Sequence, residues 1–202
     1  MTDAAPETLI AEEDALRADL YDFLSALLAG PPAKALLSQA AGLTGDDSDL
    51  GKAIATLARV AKVTNEIGAE REFNALFIGL ARGELMPYAS YYLTGFLNEK
   101  PLATLRGDMA ALRITRAPNV YEPEDNIASL LEMMAGMIRG RFGAPVPLQR
   151  QKDFFFKHIA PWAEHFFSDL EGAKSSVFYA PVGTVGKAFL EIETQAFRMG
   201  AD

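Results

Sequence analysis

The chain has 202 residues, half of them apolar, with a formal net charge of −8 and no cysteine. That length and apolar content sustain a sizeable core, in one large domain or two small ones. The acidic balance sets aside nucleic-acid binding, which calls for a basic face, and the missing cysteine removes disulfides, thiolate metal ligands and thiol nucleophiles.

Residues 1–8 read as a flexible polar tail without the basic and apolar regions of a secretory signal. No run approaches the roughly 20 apolar residues of a membrane span. A cytoplasmic location without membrane insertion is the expectation. Leu16, Leu20, Phe23, Leu24 and Leu27 then mark one face of a helix that Gly30-Pro31-Pro32 stops. A short Ala/Leu helix over Ala33–Ala41 precedes a polar turn. Leu50, Ile54, Leu57, Ala61, Thr64 and Ile67 predict one further helix ending near Gly68. Phe73, Leu76, Phe77 and Leu80 fall at helical spacing, with Gly79 and Gly83 bracketing their end. Met86-Pro87-Tyr88-Ala89-Ser90-Tyr91-Tyr92 is an aromatic turn into a modest helix over Tyr91–Asn98, and another runs from Pro101 to about Arg113.

Arg116-Ala117-Pro118-Asn119 interrupts that pattern, because Pro118 restricts Ala117 and cannot continue a helix. In Tyr121-Glu122-Pro123-Glu124-Asp125-Asn126, Pro123 suits the first position of the next helix. Glu124 and Asp125 would then place negative charge in its first turn. Residues 114–126 form a central loop-hinge between sub-halves at about 9–113 and 124–200. Ile127, Leu130, Leu131, Met134, Ile138 and Phe142 keep helical period up to Gly143-Ala144-Pro145. Gln149–Leu170 is the most aromatic stretch, and Pro161 predicts a kink or break near Ala160. Gly172–Gly186 reads as a loop with a helical turn around Ser176–Tyr179. The final helix carries Val185, Phe189, Ile192, Ala196 and Met199. With no sustained alternation and no internal repeat, the fold class is all-α: a single multi-helix domain over residues 9–200, with too many helices for a simple four-helix bundle.

Catalytic signatures are thin. His158 and His165 are two turns apart, but Pro161 disturbs their register and a metal would need further ligands from elsewhere. They read as surface or helix-packing histidines. The chain has no phosphate loop, no GxGxxG and no nucleophile elbow. No catalytic residue, metal site or cofactor is predicted. For Met133, Met134 and Met137 ordinary core packing is the first reading; Met134 looks inward, while Met133 and Met137 sit toward the flank and would suit the adaptable lining of a peptide groove as the second.

Four motifs occur in order: Glu72-Phe73-x-x-Leu76-Phe77-x-Gly79, Pro87-Tyr88-x-Ser90-x-Tyr92, Glu122-Pro123-Glu124-Asp125-x-Ile127, and Phe155-x-x-x-Ile159-x-Pro161-Trp162-x-x-x-Phe166-Phe167-x-Asp169-Leu170. Together they resemble the TorD/DmsD/NarJ family of cytoplasmic chaperones for molybdenum oxidoreductases, over roughly Leu16 to Phe197. The resemblance implies an all-helical, non-enzymatic protein. Its partner would be the precursor or apo-subunit of a molybdenum-cofactor oxidoreductase, held through its twin-arginine leader during cofactor insertion. It also implies a recognition region made of the Glu122–Ile127 loop and the Tyr88–Tyr92 turn, with Phe73, Leu76 and Phe77 near the pocket, and it allows a homodimer. Many leader-binding members carry a histidine directly after the aspartate, where this chain has Asn126, which cannot titrate near neutral pH.

The physical expectation matches that picture. Glu122, Glu124 and Asp125 would pair with the leader's guanidinium groups. Tyr88, Ser90, Tyr91 and Tyr92, with Met133 and Met137, would receive its apolar stretch. Two alternatives stay open: an assembly factor for a non-exported molybdoenzyme that binds no leader, and a helical hydrolase.

Overall fold

The computed structural model describes residues 10–79, 82–118 and 120–200. Leu80, placed by its spacing on the Phe73 face, lies outside them, as does the tail. Among the described residues there are ten α-helices, one π-helical turn and no strand.

Helix α1 (Glu12–Ala29) begins with three acidic residues, which suit the unpaired amides of a helix start, and ends before Pro31-Pro32. Helix α2 (Lys34–Ala41) packs on α3 (Asp49–Ala61), whose first turn Ser48 caps through Gly51 N at 3.0 Å. The single helix expected over residues 50–67 is two. Asn65 accepts from Gly68 N at 2.8 Å and starts α4 (Glu66–Phe73), so Ile67 opens a new helix and stays exposed. The π-helical turn Asn74–Ile78 follows at once. It ends on Gly79 at φ +62°, where a Cβ would meet the Arg82 carbonyl oxygen, so only glycine fits there.

Helix α5 (Ala89–Thr94) is earlier and shorter than predicted, because Gly95 turns left-handed after it. Helix α6 (Lys100–Ala111) has Pro101 in its first turn. Helix α7 (Ile127–Arg139) starts four residues after Pro123. Asn126 is its cap, accepting from Ala128 N at 2.9 Å. Pro123, Glu124 and Asp125 therefore precede the helix instead of forming its first turn.

Pro161 does break the aromatic stretch, into α8 (Leu148–His158) and α9 (Ala163–Gly172). The break separates the two histidines. His158 is buried with Nε2 2.6 Å from Asp108 Oδ2, while His165 is exposed. Helix α10 (Tyr179–Met199) begins well inside the stretch predicted as loop. The Glu72 carboxylate caps its start from α4, accepting from the amides of Val177, Phe178 and Tyr179 at 2.7–3.0 Å. Its inward face is Val182, Val185, Phe189, Leu190, Glu193 and Phe197; Ile192 and Met199, placed inward by the sequence pattern, are exposed.

The core forms where α1 packs on α7 and α10 packs on both α9 and α3. Close approach of α9 and α10 depends on glycine: a Cβ on Gly186 would sit 2.3 Å from the Phe167 ring, and one on Gly183 2.7 Å from the Phe167 carbonyl oxygen. Trp162, Phe155, Phe166, Phe167, Phe178 and Tyr179 fill the space between. Glu193, an acid buried in this core, is fully met. Arg17 donates to both its oxygens at 2.7 and 2.8 Å, and the Tyr21 hydroxyl donates at 2.9 Å. Arg17 also stacks over the Phe197 ring at 5.1 Å.

Candidate functional site

Two extended segments carry most of the predicted site residues, and backbone hydrogen bonds hold them side by side. Tyr88 and Asn126 form an isolated antiparallel bridge. Ala89 N donates to Asp125 O at 3.0 Å, and Ile127 N donates to Pro87 O at 2.9 Å. The Pro87–Ser90 and Glu122–Ile127 motifs, more than thirty residues apart in sequence, thus become one ledge at the start of α5 and α7.

The three carboxylates of this ledge have three different environments. Glu122 is exposed and accepts from the Tyr88 hydroxyl. Burial first, and then this bond, push the Tyr88 phenol well above its usual range. Asp125 is only 1% exposed. Its Oδ2 accepts from Ser90 N at 2.8 Å, and its Oδ1 and the Ser90 hydroxyl are buried without a partner. Asp125 therefore fastens the two segments together and presents no charge to solvent. Asn126 is buried as the α7 cap.

Glu124 lies between two arginines. Its Oε2 accepts from Arg106 NH2 at 2.8 Å and Arg116 NH2 at 2.9 Å, and Arg106 Nε adds a contact at 3.1 Å. Partial burial would raise its pKa, but the hydrogen bonds from Arg106 and Arg116 outweigh that and hold it below the ordinary carboxylate range. The sequence reading did not pick out these arginines as site residues. Arg116 was visible only as part of the helix-breaking stretch, and Arg106 sits eighteen residues from Glu124 on the polar side of α6. No sequence pattern links such a pair.

The tyrosines differ as well. Tyr91 lies beneath the Arg82 guanidinium, 5.0 Å from ring centre to carbon. The Tyr92 hydroxyl donates to Asp169 Oδ2 at 2.8 Å, and its ring packs against Trp162 and Phe166. Phe77, half-buried, reaches the same group through Phe166 and also touches Phe73 and Tyr179. Phe73 and Leu76 are core residues. Met133 and Met137 are buried too, and form no exposed flank, because α7 is enclosed by α1 on one side and α8 on another. Exposed apolar side chains adjoin the ledge in sequence: Tyr121 (85% exposed) directly before Glu122, and Leu93 on α5 with Phe96 (70%) just after that helix. Among the described residues no three histidines or carboxylates converge as metal ligands do, and no helix is long and apolar enough to cross a membrane.

The comparisons with known proteins bear on the same segments. The family model described as nitrate reductase delta subunit matches residues 43–168, a span that includes the whole ledge. The chain is 28% identical over 127 residues to the chaperone protein TorD of Vibrio cholerae, covering 59% of this chain and 58% of that relative. The chain therefore spans less than two thirds of the Vibrio cholerae relative. TorD of Aliivibrio fischeri is 24% identical over 202 residues, covering 89% of this chain and 93% of the relative. A crystal structure described as a redox enzyme maturation protein from Archaeoglobus fulgidus shares the fold, with a TM-score of 0.57 at 21% identity over 87% of this chain and 94% of that one. With more than half of its length matched by the family model, the chain belongs to the nitrate reductase delta subunit family, the TorD/DmsD/NarJ group of redox enzyme maturation proteins.

Proposed function

We propose that the protein is a cytoplasmic, non-enzymatic maturation chaperone. It binds the twin-arginine leader, and with it the apo form, of a molybdenum-cofactor oxidoreductase until the cofactor is inserted and export can follow. Family membership and the TorD chaperones among its relatives support the class of function. The observation that carries the leader-binding reading is the ledge, where carboxylates stand beside exposed aromatic and aliphatic side chains. A leader with two guanidinium groups and an apolar run has the complementary chemistry. Glu122 is the first point of contact: it is exposed and held by a phenol, which a guanidinium can replace with a stronger, charge-assisted bond. Tyr121, Leu93 and Phe96 offer apolar area, at about 25 cal/mol per Å² removed from water. Asp125 and Asn126 act by holding the ledge in shape.

Calorimetric titration with twin-arginine leader peptides from the same genome, each beside a Lys-Lys control, tests this. Selective binding that Glu122→Gln weakens is the expected result. Failure of every leader to bind refutes the reading. A second reading is that the protein assembles a non-exported molybdoenzyme by contacting its subunit surface. It is favoured by the engagement of all three ledge carboxylates within the chain and by the use of Asn126 as a cap. Binding to an apo-subunit lacking a leader would select it.

A further inference from the structure

Glu124 already holds two arginines. Arg106 reaches it from α6 and Arg116 from the connector after α6, and their terminal nitrogens lie 2.8 and 2.9 Å from the same carboxylate oxygen. Neither arrangement is locked by burial: the Arg106 side chain is 53% exposed and that of Arg116 33%, while Glu124 keeps 12%. We propose that Arg106 and Arg116 are resident occupants of the arginine site and that they set its affinity, because a cationic segment of the partner must displace them to reach Glu124. The inference rests on the leader-binding reading and names the residues that compete with the leader within it.

A carboxylate that gives up two guanidinium contacts loses the planar, forked hydrogen bonds that arginine makes with oxygen acids. A lone arginine returns only part of them. A pair of lysines returns charge but not the fork, since an ammonium is a compact, strongly hydrated point charge. Two neighbouring arginines return both, so the exchange becomes nearly neutral. Binding is then decided by the apolar contacts beside the ledge. The displaced Arg106 and Arg116 go to water at little cost, because solvent-exposed pairs contribute only about 0.2–1 kcal/mol each. The residents thus penalise every displacing cationic segment by the same amount, and an Arg-Arg pair, by its own forked bonds to Glu124, recovers most of the loss.

The test is titration of the full chain and of its Arg106→Gln/Arg116→Gln variant with a twin-arginine leader and with its Lys-Lys counterpart, after equal melting curves establish that both forms are folded. The variant should bind the Arg-Arg peptide more tightly, by something on the order of tenfold. The Lys-Lys peptide should gain no more than that, so that the preference for Arg-Arg is kept. Adding Glu124→Gln should abolish the gain. Equal affinities of the two forms for the Arg-Arg peptide overturn the inference while leaving leader binding intact. No binding by either form overturns leader binding itself, and the inference with it. If the double variant does not fold, Arg106→Gln alone serves, since that side chain is half exposed; half the effect is then expected, and none refutes the proposal.

Discussion

Two carboxylates in this molecule are each met by arginine, and they could hardly be more different in consequence. Glu193 sits in the core at 1% exposure, gripped by Arg17 and Tyr21. Burial alone would lower the Arg17 pKa, yet its bonds to Glu193 keep it above the ordinary guanidinium range. Glu124 sits at the surface, between two side chains that reach it from solvent. The core cluster ties α1 to α10, and water is kept from its carboxylate and phenol, Glu193 and Tyr21. The surface cluster is open to water, salt and any incoming guanidinium. The same chemistry therefore holds the fold together in one place and leaves a site exchangeable in the other. What separates them is burial.

The most damaging way to break this contrast is Glu193→Ala. It leaves the half-buried Arg17 with Asp14 alone and strands the buried Tyr21 phenol, so it should cost about 3 kcal/mol, measured by denaturant unfolding; a loss no larger than a surface change would show that the cluster is solvated. Asp125→Ala comes next. The ledge loses its bond to Ser90 N, and the expected cost is about 1–3 kcal/mol, with the melting temperature falling as peptide binding falls. Lost binding at full stability would instead make Asp125 a direct ligand.

A third cluster lies between these extremes, and acid should expose it. Asp108 accepts from Lys157 and faces buried His158. Burial lowers the His158 pKa despite Asp108, with Lys157 adding to the effect. A group whose folded pKa is depressed stabilises the fold above its unfolded value, about 6.5 for histidine, and that contribution is lost as pH falls below it. Melting temperature should therefore drop between pH 7 and pH 5, and His158→Gln should flatten the drop. The smallest effect belongs to Glu124→Gln, which should change stability by under about 1 kcal/mol; a core-sized loss would erase the distinction between the two arginine clusters.

Helix positions were largely legible because apolar spacing and proline report local geometry. The break at Pro161 is the clearest case. The start of α10 was not legible, since the residue that caps it, Glu72, lies more than a hundred positions away. The start of α7 was misread for a different reason. Proline followed by two acids is a good first turn, and so is a tight turn before an asparagine cap; only Asn126 bonding to Ala128 N distinguishes them. The family motifs group Tyr88, Ser90, Glu122 and Asp125, and the structure holds the two segments that carry them side by side. Met133 and Met137 are core residues, as their first reading had it; the exposed flank fails because helical period identifies one buried face, whereas α7 has neighbours on more than one side. Arg106 and Arg116 were invisible as a pair because tertiary ion pairs leave no periodic trace.

The Arg17–Glu193 bond joins residues 176 positions apart. Such a contact closes a loop nearly as long as the chain, and loop-closure entropy places it among the last to form. Until α10 has left the ribosome, Arg17 has only Asp14, one turn away on its own helix, to pair with. The finished core thus awaits α10, and a nascent copy still missing that helix cannot yet close it.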